Sequence, residues 1–325
     1  MSSATFVHQA IYKSGLARRM ARWLDAIPHP PVAIEIASDR VAVARWGRSG
    51  SLDAFAVESL PPGAVLPSAV ETNLVNSAAA RVAIAKACDR IRTRGEDAAL
   101  ILPDPVIRVF VQHFENFPRA SGEAIPLLRW KLKKSVPFEA DETIISYFRQ
   151  APREAGVDIV TALARLRIIR EYESLAEGVG LQPGVVVSSS LAAISLVDGD
   201  KPVLFARISG SALTTAIVRS ALLCGYRCTE LPSYGASLTP QMLLEEIFPV
   251  AAYYQDTWQE GISSVRIAGL GARLAEFVGP LEQELHCEVK SLLNSAHSEG
   301  RIKDDARQLA DRDLEGLVGW RLHRS

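Results

Sequence analysis

The sequence of 325 residues has few cysteines, no marked charge imbalance and no clustered metal ligands. Its four cysteines, Cys88, Cys224, Cys228 and Cys287, show no CxxC spacing, and the six histidines do not cluster with them. Because a zinc site needs clustered Cys or His ligands, we expect reduced thiols with packing roles. The formal net charge of −1 gives no indication of nucleic-acid binding.

Long apolar runs are missing as well. A membrane-spanning helix needs about 18 or more consecutive apolar residues, and the N-terminus lacks the apolar core and cleavage site of a signal peptide. We therefore expect a cytosolic protein. Hydrophobic residues make up 48% of the chain and charged residues 22%, which is typical of a globular protein, and the length allows two domains.

Residues 1–30 differ from the rest of the chain. Apolar residues recur at helical spacing from Tyr12 to Ile27, and basic residues occupy most of the other positions. Such a basic amphipathic helix can contact an anionic membrane surface or a partner. Alternatively, its short apolar stripe packs on the body of the protein. Pro28, Pro30 and Pro31 then end the helix.

Two similar units follow this segment. In residues 32–46, two apolar runs flank a polar turn at residues 37–40, which predicts a β-hairpin. Residues 203–218 repeat the pattern around the small polar turn of Ser209, Gly210 and Ser211. Strands that alternate with helices after each hairpin predict an α/β fold. We assign residues 31–115 to the first unit, 116–197 to a small inserted α/β piece, and 198–325 to the second unit with a closing helix.

Several segments, taken in order, are similar to the PilM family of type IV pilus assembly proteins, relatives of FtsA. They are VAIEIASDRVAVARW at 32–46, ALILPDPVIRVFVQHF at 99–114, LRWKLKKSVPFEADETIISYF at 128–148, AGLGA at 268–272 and DLEGLVGWRL at 313–322. The resemblance covers roughly residues 32–322. It implies an actin-like (ASKHA) fold, a duplicated ribonuclease H-like fold with a small inserted α/β subdomain.

The resemblance also implies a site between the two halves for ATP or ADP with Mg²⁺. In the family, one hairpin turn from each half binds the phosphates through backbone N–H groups, carboxylates at the hairpins hold Mg²⁺, and a glycine turn accommodates the adenosine. The matching positions here are Glu35, Ser38 and Asp39, then Arg207, Ser209, Gly210 and Ser211, then Gly269, Gly271 and Ala272.

Both phosphate loops depart from the family pattern. The first loop, Asp-Ile-Gly-Ser-Ser in the family, has Glu35 at its start, Ala37 in place of glycine and Asp39 at its end. Alanine disfavours positive φ, and Asp39 adds negative charge near the phosphates. In the second loop, Arg207 replaces the Asp that positions Mg²⁺. We therefore expect no enzyme but a degenerate cleft, a pseudo-ATPase with weak or absent hydrolysis.

Glu35 has two interpretations that the sequence leaves open. It is either a metal-linked carboxylate on the first strand, or the partner of Arg207 in an ion pair that closes the cleft without metal or phosphate. The two residues occupy equivalent places in the two units. This equivalence is what makes the ion pair a specific expectation.

By the same resemblance, the partner is the cytosolic N-terminal peptide of a PilN-like inner-membrane protein. In the family this peptide lies in a groove between the first subdomain and the inserted one. Residues 130–148 would form one wall, with Val136, Pro137 and Phe138 as candidate peptide contacts. The protein would lie at the inner membrane through this partner, beside pilus motor and platform components, with self-association open.

Two other functions remain as alternatives. One is an active ATP-binding ASKHA-type ATPase or nucleotide switch. The other is a GspL-like cytosolic component of a type II secretion system.

Overall fold

The computed structural model describes residues 30–47, 51–139, 142–153, 156–232, 234–302, 304–310 and 312–322. The amphipathic helix expected in residues 1–30 lies outside these ranges, apart from Pro30. No helix within the described ranges is long and apolar enough to cross a membrane.

Strands and helices alternate along the chain. The strands are β1 (Val32–Ile36), β2 (Arg40–Trp46), β3 (Leu52–Ser59), β4 (Asp97–Leu102), β5 (Arg108–Phe114), β6 (Thr143–Arg153), β7 (Gly156–Arg165), β8 (Gln182–Ser188), β9 (Val203–Ser209), β10 (Ala212–Arg219), β11 (Leu222–Glu230), β12 (Ser264–Ala268) and β13 (Glu288–Ser291). The helices are α1 (Ser77–Ile91), α2 (Ser121–Leu132), α3 (Leu166–Glu177), α4 (Ser189–Ala193), α5 (Pro240–Trp258), α6 (Leu274–Leu285), α7 (Leu292–Ser298), α8 (Arg307–Ala310) and α9 (Glu315–Leu322).

Two five-stranded sheets share one topology. Their orders are β3-β2-β1-β4-β8 and β11-β10-β9-β12-β13. In each, the first three strands are antiparallel neighbours and the last two continue the sheet in parallel. This is the ribonuclease H-like order, present twice, so the expected duplication and both hairpins are confirmed. The all-buried sequence of β1 suits a central strand covered on both faces.

A third, three-stranded sheet has the order β5-β7-β6. Its membership differs from the limits of 116–197 expected for the inserted piece. The strand β5, expected in the first unit, pairs with β7, whereas β8, expected in the inserted piece, pairs with β4 of the first sheet. Strand sequences encode a half-buried, pleated surface rather than a choice of neighbour, so tertiary contacts decide the sheet.

One hydrophobic core joins the two halves. It combines apolar residues of the first sheet, such as Ala33 and Ala99, with Phe205 of the second sheet and Trp320 of α9. Helix α9 approaches α4 closely, because a Cβ built on Gly319 would lie 2.1 Å from the carbonyl oxygen of Ala192. Small residues at this crossing therefore allow α9 to pack against the crevice between the sheets.

Candidate functional site

Four charged side chains converge where the central strands of the two sheets end. Glu35 lies near the end of β1, Asp104 in the short 3-10 turn after β4, Arg207 on β9, and Glu315 at the first position of α9. Each is at most 4% exposed. The crevice beyond the carboxyl ends of such strands is the usual ligand position in open α/β sheets.

One guanidinium group binds all three carboxylates. Arg207 donates from Nη2 to Glu35 Oε1 at 3.3 Å, from Nη1 to Asp104 Oδ2 at 3.4 Å, and from Nε to Glu315 Oε2 at 3.2 Å. The fixed, five-donor fork of arginine allows this division of contacts. The expected Glu35–Arg207 ion pair is thus present, and two further carboxylates share its cation. We call these four residues the Arg207 cluster.

Neutral donors also bind the carboxylates of Glu35 and Asp104, whereas Glu315 Oε1 is buried without a hydrogen-bond partner among the described residues. The Ser189 hydroxyl donates to Glu35 Oε1 at 2.5 Å, and the Leu317 N–H donates to Glu35 Oε2 at 3.1 Å. Ser190 donates from its backbone N–H and its hydroxyl to the two oxygens of Asp104, at 2.7 and 2.5 Å. Such additional hydrogen bonds are what a buried ion pair needs to offset desolvation.

Burial and charge act in opposite directions on these groups. Burial raises the pKa of Glu35 above its ordinary value, while Arg207 and the Ser189 hydrogen bond act to lower it. Burial alone would lower the pKa of Arg207. The attraction of the Glu315, Asp104 and Glu35 charges outweighs the effect of burial, so the pKa of Arg207 lies above its ordinary value. Arg207 therefore remains cationic among an excess of carboxylates.

The two hairpin turns that were assigned to phosphate binding lie against each other. Asp39 is exposed and Ser38 half-buried in the first turn. A Cβ built on Gly210, which has a φ of +59°, would lie 3.2 Å from Ser38 Oγ. Ser209 and Ser211 are half-buried on either side of Gly210. The structure brings these candidate residues together, with little space between the two turns.

Close packing explains Gly269, the first glycine of the glycine turn at residues 268–272. At Gly269, φ is +83° and an added Cβ would lie 1.8 Å from the carbonyl oxygen of Ile208, so only glycine fits against β9. Gly271 also has a positive φ, and Ala272 lies exposed in the 3-10 turn Gly271–Arg273.

The space beside this turn is small. The cavity measures about 50 Å³, and its lining includes Gly269, Gly271, Asp313 and Glu315. Ligand pockets are usually about 300–1,000 Å³. Within the described ranges, no three His, Cys, Asp or Glu side chains are placed to hold a metal ion. Arg207 and the three carboxylates that it binds occupy this end of the crevice.

A larger groove of about 340 Å³ lies at the inserted sheet. Its described lining residues are Ile107, Arg108, Val109, Phe110, Ser135, Pro137, Tyr226, Arg227 and Cys228. Of the three residues expected to contact a peptide, Pro137 lines this groove, whereas Val136 and Phe138 pack partly buried against the core under α2. Strand β11 of the second half forms the opposite wall, which the sequence did not predict.

The sequence interpretation missed Asp104, Glu315, Ser189 and Ser190. Asp104 had a visible signal, since it stands between two prolines directly after a buried strand. The sequence signal for Glu315 was weaker, because it consisted only of a carboxylate beside Gly316 in an otherwise apolar segment. An added Cβ on Gly316 would lie 2.6 Å from Glu35 Oε1, so this glycine admits the Glu35 side chain.

No family model and no curated protein matches this sequence. Among solved structures, a chain of the PilM–PilN type IV pilus biogenesis complex aligns with a TM-score of 0.73 and 16% identity, over 91% of this chain and 99% of that one. The chain thus has an actin-like fold, and it shares that fold with the PilM–PilN structure.

Two other solved structures are less similar. A Bacteroides thetaiotaomicron protein with an actin-like ATPase fold and unknown function has a TM-score of 0.48 and 10% identity, over 80% of this chain and 90% of its own. The cytoplasmic domain of EpsL, an inner-membrane component of the Vibrio cholerae type II secretion system, has a TM-score of 0.46 and 9% identity, over 73% of this chain and 80% of its own. Neither carries a functional argument.

Proposed function

We propose that this protein is a PilM-like assembly adaptor of a type IV pilus machinery, which binds the cytosolic N-terminal peptide of a PilN-like inner-membrane protein. The observation that carries the proposal is the fold shared with the PilM–PilN structure over 91% of the chain. The groove beside Pro137 supplies a site of suitable size. The protein would then lie in the cytoplasm, at the inner membrane through its partner, near the motor and platform.

The Arg207 cluster supports an adaptor rather than an ATPase. Phosphoryl transfer depends on a metal ion and on donors positioned around the phosphates. Here a buried arginine binds three carboxylates instead, and the two hairpin turns meet at Ser38 and Gly210. Under this proposal, the residues expected to bind ATP hold the two halves together, and partner binding does not depend on nucleotide.

Fluorescence anisotropy tests this function. The probe is the labelled cytosolic N-terminal peptide of the PilN-like protein from the same genome, and the control is a scrambled peptide of the same composition. We expect saturable binding of the native sequence only, unchanged by ATP and Mg²⁺. Equal binding of the two peptides, or no binding of either, would refute the adaptor function.

A further inference from the structure

The groove between β5 and β11 has features that define its occupant more closely. We propose that it binds an extended peptide segment that carries a carboxylate, with Arg108 as the anchor for that carboxylate and both halves of the protein as walls. This inference rests on the proposed function, because the segment is taken to belong to the PilN-like partner.

The pattern of lining residues shows that the groove runs along strand edges. Residues 107–110 and 226–228 line it consecutively. Successive side chains of a strand point to opposite faces, so consecutive lining residues are consistent with a groove that runs along the strand rather than across one face of it. Both β5 and β11 are edge strands of their sheets.

A buried glutamine fixes the position of β11 beside the inserted sheet. Gln150 of β6 donates from Nε2 to the carbonyl oxygen of Leu223 at 2.8 Å, and its Oε1 accepts the N–H of Leu223 at 2.7 Å. These two hydrogen bonds cap part of the outer edge of β11. The Gln150 side chain thus binds the main-chain N–H and C=O groups of β11, which are the groups that an added peptide strand would bind.

The groove is lined by residues of these two edge strands. An edge strand presents unpaired N–H and C=O groups, and main-chain hydrogen bonds to such an edge favour an extended peptide. The volume of about 340 Å³ lies within the range of ligand pockets. An extended segment is therefore the occupant whose shape suits a groove lined by two edge strands.

The charge of the lining favours a carboxylate on that segment. Arg108 and Arg227 are the charged residues among the described lining, and no acidic side chain is among them. Arg227 is exposed and lies 3.6 Å from Glu246. Arg108 is half-buried, and its buried Nε has no hydrogen-bond partner among the described residues. A carboxylate in the groove would bind the guanidinium group of Arg108, because the guanidinium fork matches two carboxylate oxygens.

A double-mutant cycle between protein and peptide tests the proposal. Each position of the native PilN-like peptide is replaced in turn by Glu and by Gln, and binding to wild-type and Arg108→Gln proteins is measured by anisotropy. We expect one position at which the Glu peptide binds wild type at least about tenfold more tightly than the Gln peptide, since charge-assisted hydrogen bonds are the stronger kind. With Arg108→Gln, that difference should disappear.

Arg94→Gln is the matched control, because it removes the same charge from an exposed side chain outside the groove lining. It should leave the Glu–Gln difference intact. Retained binding of the Gln peptides by Arg108→Gln shows that the variant is folded. If the native peptide binds but no position depends on Arg108, this inference fails and the adaptor function stands. If the native peptide does not bind at all, the adaptor function fails.

Hydrogen exchange provides a second readout. Binding of the native peptide should slow amide exchange in both β5 and β11, because an added strand pairs with edge groups. If the peptide binds but slows amide exchange in neither β5 nor β11, the proposal that it lies along these strand edges is overturned.

Discussion

Replacing Arg207 by methionine should destabilise the protein strongly. Methionine keeps the apolar stem of the side chain but leaves three carboxylates, each at most 4% exposed, without their cation. Removing one partner of a single buried ion pair costs about 3–5 kcal/mol. Because Arg207 binds three carboxylates, we expect about 5 kcal/mol, a large share of the roughly 5–15 kcal/mol that stabilises a typical protein.

Urea denaturation at pH 7.5, followed by circular dichroism, measures this loss as a change in the free energy of unfolding. The matched control is Arg94→Met, whose ion pair with Asp89 has side chains 81% and 62% exposed; such pairs contribute about 0–1 kcal/mol. Burial raises the pKa of Glu35, so protonation of this carboxyl group at acid pH relieves part of the uncompensated charge and the loss should shrink there. A loss under about 1 kcal/mol at pH 7.5, equal to that of the control, would refute the role assigned to Arg207.

Three further predictions follow from local geometry and burial. Gly269→Ala should lower the free energy of unfolding in urea titrations by about 2–4 kcal/mol, because the added Cβ would overlap the Ile208 carbonyl. Gly63 also has a positive φ but has open space around it, so Gly63→Ala should lower the free energy of unfolding by less. Equal losses in the two variants would contradict the packing role of Gly269. Burial raises the pKa of Cys228 to about 12, so iodoacetamide at pH 8 should alkylate the Cys228 thiol far more slowly than it alkylates the thiol of free glutathione. Mass spectrometry measures both rates, and equal rates would contradict this prediction. Burial also raises the pKa of Glu35 above 4.5, so its contribution to stability is present below pH 4.5 and is lost as the pH rises through the raised pKa. The free energy of unfolding measured in urea should therefore fall with pH over this interval, and Glu35→Gln should remove that fall. An unchanged pH dependence in Glu35→Gln would show that the fall arises from another group.

The duplicated hairpins and the central ion pair could be predicted from the sequence. Apolar runs around a small polar turn define each hairpin locally, without long-range information. Glu35 and Arg207 stand at equivalent strand positions in the two units, and their opposite charges predict a contact once the halves face each other. Periodicity and duplication therefore predicted two α/β units and offered the Glu35–Arg207 ion pair as one of two interpretations, whereas the actin-like fold was implied by the family resemblance.

Sheet membership and the full ionic cluster could not be predicted in this way. Strands β5 and β8 have ordinary strand sequences, and only tertiary packing decides that one joins the inserted sheet and the other the first sheet. Asp104 and Glu315 reach Arg207 from segments 103 and 108 residues away in sequence. Nothing in either local pattern indicates which cation they face.

The groove shows a similar limit. The segment around Pro137 was expected to contact a peptide by resemblance, but the wall formed by β11 depends on how the second half packs against the inserted sheet. The Gln150 contact with Leu223 joins residues 73 positions apart. Such a contact has no periodic signature in the sequence.

Calorimetric titration of ATP and ADP into the purified protein, with and without Mg²⁺, tests the central claim of a nucleotide-independent adaptor most directly. We predict no saturable heat for the wild type, because the Arg207 cluster and the contact between the hairpin turns close the crevice. Micromolar binding by the wild type, equivalent to about −8 kcal/mol, would contradict this account.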